Sequence, residues 1–137
     1  MPRTTTQALV GWFTTAAVLL VCDLVWLGLV ARPIYAELMG SLLRDPANWV
    51  AGLIFYLFYV TVCWLHAVRD APTVLVALKK GAGLGLVGYA VYELTNWAVI
   101  AGWPAVLVPI DIAWGVVLTG LSAAGGAWAS HRVGPAQ

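Results

Sequence analysis

Four long apolar stretches run along the chain, separated by short segments that contain charged residues, glycine or proline. Each is long enough for the roughly 20 residues that an α-helix needs to cross a bilayer, and none alternates apolar and polar residues as a barrel strand does. The pattern predicts an all-α integral membrane protein, a compact bundle of four transmembrane helices in a single domain spanning residues 1–137. The predicted helices cover residues 8–30, 47–68, 81–101 and 104–129.

Composition and segment length support a membrane protein. Of the 137 residues, 62% are hydrophobic and 9% are charged, whereas soluble domains contain about 25% charged residues. The first apolar stretch is longer than the apolar part of a signal peptide, so we expect it to remain as a helix. Residues 31–46 are expected to form a loop, in which Ile34–Leu43 lies flat as an amphipathic interfacial turn.

The distribution of lysine and arginine predicts the orientation. One side of the predicted bundle carries only Arg32 and Arg44, and the opposite side carries Arg3, Arg69, Lys79, Lys80 and Arg132. Because positive residues favour the cytoplasmic side, we expect a multi-pass protein of the bacterial inner membrane with both termini in the cytoplasm. The 31–46 loop would then face outward.

Several apparent motifs do not indicate cofactors. Residues 83–88 match the glycine pattern of dinucleotide-binding loops, but they lie in an apolar helix without a preceding strand. Gly81 and Gly85 instead form a G-x-x-x-G pattern, which lets another helix approach closely and is a candidate homodimer face. No His/Cys spacing suits zinc, and no basic face suits nucleic acid. We predict no cofactor and no metal, and two free thiols at Cys22 and Cys63.

Three carboxylic acids lie inside the predicted helices: Asp23, Glu93 and Asp111. A charge at mid-helix costs roughly 2.5–3.5 kcal/mol on insertion scales, and such residues usually serve a site or pathway. Counted from the helix ends, all three lie roughly 10–12 Å below the outer boundary. They form one layer of the outer leaflet, in which burial and mutual repulsion favour sharing of at least one proton.

Other polar and aromatic side chains are predicted at a similar depth, and with the acids they form the candidate ligand-binding set: Asp23, Tyr56, Tyr92, Glu93, Asn96, Asp111 and Trp114. Each acid is expected to pair with a side chain one turn away, namely Trp26 for Asp23, Asn96 and Trp97 for Glu93, and Trp114 for Asp111. Five tryptophans fall near the membrane boundaries and are predicted to be belt residues: Trp12, Trp49, Trp64, Trp103 and Trp128.

The chain also resembles a known family. The segments Cys22–Gly28, Tyr92–Asn96, Gly102–Pro104 and Asp111–Gly115 are similar to motifs of a bacterial family of small predicted membrane proteins known only as a domain of unknown function. The resemblance extends over nearly the whole chain and implies four helices without an assigned activity. The family motif has aspartate where this chain has Glu93, which keeps the charge and lengthens the side chain.

Three functions fit these features. The carboxylate and aromatic pocket could bind or transport a cationic or partly apolar small molecule, with proton coupling. Alternatively, it could catalyse acid–base chemistry on a lipid or isoprenoid, with Glu93 and Asp111 exchanging protons, Asp23 and Asn96 orienting them and Trp114 shielding a cation. The third hypothesis is a structural subunit of a membrane complex, in which the acids bond across helices.

Overall fold

The computed structural model describes residues 3–134 and consists of four long helices, with no strand among these residues. The helices are α1 (Thr5–Leu42), α2 (Trp49–Val68), α3 (Val74–Val99) and α4 (Leu107–Arg132). All four are long and apolar enough to cross a membrane. The prediction of an all-α protein with four membrane-spanning helices is therefore confirmed.

Helix α1 extends well beyond its predicted end. It starts at a capping box, in which Thr4 and Gln7 each accept a hydrogen bond from the other's backbone N–H. It then continues through a π-helical turn, Trp26–Ala31, and a further α-helical segment, Arg32–Met39. Most of the 31–46 segment that the sequence predicted as a loop is therefore helical, and its flat position at the interface stays a prediction.

The π-helical turn explains why Pro33 does not end the helix. A proline inside an α-helix lacks the N–H donor and its ring clashes with the carbonyl four residues earlier. The wider π turn lies directly before Pro33, and there the Arg32 N–H donates to Leu27 O, five residues back. The α-helical part of α1 ends instead at Gly40, whose φ of +50° favours a residue without a Cβ. A short 3-10 turn, Gly40–Leu42, completes α1.

Helix α3 begins earlier than predicted, at Val74 rather than at residue 81. Thr73 caps its N-terminus by accepting a hydrogen bond from the Val76 N–H at 3.2 Å. Lys79 and Lys80 therefore belong to the helix and were not the loop residues that the sequence suggested. Long basic side chains are compatible with a helix end because they can reach the headgroup region.

Small residues allow α3 and α4 to pack closely. A Cβ atom on Gly85 would lie 2.0 Å from Gly115 O, and one on Gly81 would lie 2.5 Å from Thr119 O. The prediction that these glycines admit another helix is correct, but that helix is α4 of the same chain. Since both glycines are buried there, the candidate homodimer face is already occupied within the chain.

Arg3 and Val133, near the two limits of the described residues, lie at one end of the bundle, which we call the terminal end. Arg3 donates hydrogen bonds there to Ser130, to Val68 O at 3.0 Å and to Ala71 O at 3.2 Å. The opposite end, called the far end, carries the connections 43–48 and 100–106. Helix α4 is the most buried of the four and packs mainly against α3 and α1.

Helix α2 leans away from α3 toward the far end. Its last turn, Trp64–Val68, packs against α3, whereas Trp49–Cys63 packs against α1 and makes almost no contact with α3. Helices α2 and α3 therefore meet at the terminal end and separate toward the far end.

Candidate functional site

The three intramembrane acids are buried on three different helices. Glu93 on α3 is completely inaccessible, and Asp23 on α1 and Asp111 on α4 are 7% and 8% exposed. Each lies on the buried face of an otherwise apolar helix, because lipid offers no hydrogen-bond partner to a carboxylate. The fold thus brings the acids to the inside of the far-end half of the bundle.

Asp23 is held by aromatic side chains from two other helices. The Tyr56 hydroxyl donates to Asp23 Oδ2 at 2.5 Å, and the Trp114 indole N–H donates to Oδ1 at 3.2 Å. Trp114 in turn stacks on Trp26, with ring centroids 4.6 Å apart and planes inclined by 7°. Both oxygens of Asp23 therefore have a partner.

Glu93 and Asp111 form a neighbouring pair. The Tyr35 hydroxyl donates to Asp111 Oδ1, and the Trp103 indole N–H donates to Glu93 Oε2 at 2.9 Å. Both carboxyl groups line the same cavity. Glu93 Oε1 is buried and has no hydrogen-bond partner among residues 3–134. A proton shared between the two carboxyl groups, or a bound cation, would satisfy this oxygen.

These partners differ from those expected one turn away on the same helix. Asp23 bonds to Trp114 and Tyr56 rather than Trp26, and Asp111 bonds to Tyr35. A helix places side chains at i and i+4 side by side along its axis, whereas the inward-facing carboxylates meet groups that project from the opposing helices. The partners of buried acids are therefore a property of the bundle rather than of one helix.

Two side chains that donate hydrogen bonds to the acids were missed by the sequence interpretation. Tyr35 lies in the segment predicted as a loop, and Trp103 was assigned to the interfacial belt because of its depth. The hydroxyl of Tyr35 reaches the site because α1 continues past Pro33. An indole near the boundary can still donate inward, so depth alone did not distinguish Trp103 from a belt residue.

The acids border a cavity of about 320 Å³, at the lower end of the range for small-molecule sites. It lies between α1, α3, α4 and the far-end connections. Its walls combine the three acids with aromatic and aliphatic side chains, namely Asp23, Trp26, Leu27, Tyr35, Met39, Leu43, Tyr89, Tyr92, Glu93, Trp103, Leu107, Asp111 and Trp114.

A family model described as predicted membrane protein (DUF2177) matches residues 8–128. The chain belongs to the DUF2177 family. No curated protein and no solved structure matches it. The family description of this DUF2177 protein places the chain in a membrane and assigns it no activity.

Five of the seven predicted ligand-binding residues of the DUF2177 protein line the cavity. Tyr56 lies outside the lining and contributes through Asp23. Asn96 is also outside the lining and lies beside Tyr92. Tyr92 borders the cavity but is 57% exposed toward the surrounding membrane.

The cluster has a net acidic character that basic side chains do not neutralise. Within residues 3–134 the one ion pair joins Arg69 to Asp70, in the connection at the terminal end. The donors that contact Asp23, Glu93 and Asp111 are neutral indoles and phenols. Among residues 3–134, no group of three or more His, Cys, Asp and Glu side chains is arranged to hold a metal ion.

Proposed function

We propose that this protein binds a cationic, partly apolar small molecule at Glu93 and Asp111, and that binding exchanges the cation for a proton. The observation that carries this proposal is the free oxygen of Glu93. A completely buried carboxyl oxygen on a cavity wall, with no donor of its own, is costly unless a proton or a cation occupies the site.

The cavity walls favour an organic cation over a bare ion. Trp26, Trp103 and Trp114 supply indole faces and edges around the acids, and a cation over an indole face gains about 2 kcal/mol or more when it is desolvated. The volume suits a small ammonium group with short substituents. An inorganic ion would lack the convergent oxygen ligands that hard cations need.

A titration with defined ammonium ions tests the proposal. The full chain in lipid nanodiscs would be titrated with tetramethylammonium and small primary amines by calorimetry in two buffers of different ionisation enthalpy. We expect binding with net proton release, and a loss of at least about tenfold in affinity for Glu93→Gln, because the free charge that attracts the cation is removed.

Glu37→Gln is the matched control, because Glu37 is an exposed acid at the far end. It should bind like the wild type. Absence of heat and of thermal stabilisation with every amine tested would contradict the proposal. Loss of stability in Glu93→Gln with unchanged affinity would favour the structural role instead.

The position of two carboxyl groups on the wall of one cavity also supports a second candidate, acid–base catalysis on a lipid or isoprenoid. A protonated carboxyl group beside a carboxylate can deliver one proton and recover another. Comparison of lipid profiles between a deletion strain and strains complemented with the wild type or Glu93→Gln tests this candidate. A profile that does not change on deletion would eliminate it.

A further inference from the structure

A second concavity opens on the membrane-facing surface between α2 and α3. This groove has a volume of about 530 Å³ and is lined by Phe55, Phe58 and Tyr59 of α2 and by Gly88, Tyr89 and Tyr92 of α3. It exists because the two helices separate above the turn Trp64–Val68. Apart from the phenol hydroxyls, its walls are hydrocarbon.

The groove is bordered by fixed side chains. The Tyr59 hydroxyl is hydrogen-bonded to Thr119 of α4 at 2.8 Å, and Phe55 stacks on Tyr59 with ring centroids 5.4 Å apart. Gly88 contributes no side chain, and a Cβ at this position would lie 3.8 Å from the Tyr59 ring. A side chain added at Gly88 would therefore enter the groove in ordinary van der Waals contact with Tyr59.

The groove adjoins the acid-lined cavity. Tyr89 and Tyr92 line both spaces, so a single layer of aromatic side chains separates them. The Tyr92 ring also meets Trp103 edge-on, with centroids 6.0 Å apart, and Trp103 donates to Glu93. A molecule that occupied both spaces would have to pass beside the Tyr92 ring, whose exposed side chain borders both of them. It would then place one end at the carboxyl pair and the other end in the groove.

We propose that the ligand is a single-chain cationic amphiphile, whose ammonium head occupies the cavity while its alkyl or isoprenoid chain lies in the groove. This inference rests on the proposed function. Charge complementarity selects the head, because the acids lack a basic partner and a phospholipid would bring a phosphate that they repel. The apolar walls select the chain, and the adjoining position of the two spaces joins them in one molecule.

The test fills the groove without touching the acids. Gly88→Leu places a side chain in the groove. Gly83→Leu is the control, because it adds the same side chain to α3 at a position where no atom lies within 4 Å of the added Cβ. Both variants and the wild type would be titrated in nanodiscs with tetramethyl-, butyltrimethyl-, octyltrimethyl- and dodecyltrimethylammonium. Empty nanodiscs correct for partitioning of the longer chains into lipid.

We expect Gly88→Leu to bind tetramethylammonium like the wild type and to lose about tenfold in affinity for the dodecyl compound, because the added side chain overlaps the bound chain. Gly83→Leu should match the wild type along the whole series. The ratio of the Kd of Gly88→Leu to the Kd of the wild type should therefore grow with the length of the alkyl chain.

The failures of the two proposals are distinguishable. If tetramethylammonium binds but Gly88→Leu tracks the wild type at every chain length, the groove does not hold the chain and this inference is overturned while the proposed function stands. If no ammonium ion binds to the wild type, both fail. A thermal unfolding profile of Gly88→Leu like that of Gly83→Leu ensures that a loss of affinity is not a loss of fold.

Discussion

At the scale of single residues, the site satisfies buried acids with neutral aromatic donors. Indole N–H and phenol O–H groups supply hydrogen bonds while their rings remain compatible with an apolar interior. Trp103 and Trp114 donate to Glu93 and Asp23, and Tyr35 and Tyr56 donate to Asp111 and Asp23. This arrangement supplies hydrogen bonds to the carboxyl groups without a counter-charge, which is the basis of the proposed cation binding.

The role of the indole donors can be tested at Trp103. Trp103→Phe removes the hydrogen bond to Glu93 Oε2 and leaves a buried acid without a donor on either oxygen. We expect the free energy of unfolding, measured by SDS titration in mixed micelles, to fall by roughly 1–3 kcal/mol.

Trp49→Phe is the control, since Trp49 also lies near the far end and is 74% exposed. Its free energy of unfolding should stay within about 0.5 kcal/mol of the wild-type value. Equal destabilisation of both variants would mean that loss of the hydrogen bond to Glu93 is not the cause.

The sequence identified the three buried acids but not the side chains that donate hydrogen bonds to them. Counting residues from helix ends predicted Asp23, Glu93 and Asp111 at one depth. All three line one cavity, while their depth in the membrane stays a prediction. The donors depend on rotation of one helix against another, which hydrophobic helices of low amphipathicity do not encode locally. Tyr35 and Trp103 therefore became visible only in the assembled bundle.

At the scale of helices, close packing of α3 on α4 determines where the acids meet. The carbonyl of Gly115 lies where a side chain on Gly85 would be, and the Tyr89 ring covers Gly115. Glu93 and Asp111 lie toward the far end from this contact, so the glycines fix the distance between the two acidic helices.

Gly85→Ala tests this packing. A Cβ 2.0 Å from a backbone oxygen forces the helices apart, and we expect the free energy of unfolding to fall by about 1–3 kcal/mol or more. Gly83→Ala, on the same helix with open space around it, should be neutral or slightly stabilising because alanine favours helix. Similar stabilities of the two variants in SDS titration would contradict the close α3–α4 contact.

The number of helices followed from sequence, whereas two of their bounds did not. Hydropathy identifies residues that belong in hydrocarbon, and helix bounds depend on caps and breakers. The π turn before Pro33 and the Thr73 cap extend α1 and α3 into segments with charged residues. Charged residues interrupt the apolar pattern in both extensions, Arg32 and Glu37 in α1 and Lys79 and Lys80 in α3, so the predicted helices stopped short of them.

At the scale of the whole molecule, the distribution of positive residues predicts how the bundle is oriented in the membrane. Arg3, Arg69, Lys79, Lys80 and Arg132 belong to the terminal end, and Arg32 and Arg44 belong to the far end. The excess of positive residues predicts that the terminal end faces the cytoplasm. The cavity would then lie nearer to the outer surface.

Single cysteines report the orientation in intact cells. In a background lacking Cys22 and Cys63, a membrane-impermeant maleimide should label Asp45→Cys at the far end before lysis and Gly134→Cys at the terminal end only after lysis. Both positions are exposed, so accessibility does not bias the comparison. The reverse labelling pattern would place the cavity on the cytoplasmic side.

The central position of α4 also has a consequence for the order of biosynthesis. This helix is the last of the four to leave the ribosome, yet it supplies Trp114 to Asp23 and Ser130 to Arg3, and its Asp111 faces the same cavity as Glu93. The first and third helices therefore carry their acids into the bilayer before these partners exist, and their apolar length must cover a cost of roughly 2.5–3.5 kcal/mol per acid. The bundle cannot close until α4 has been translated, so a ribosome stalled before α4 leaves three inserted helices without the most buried helix of the bundle.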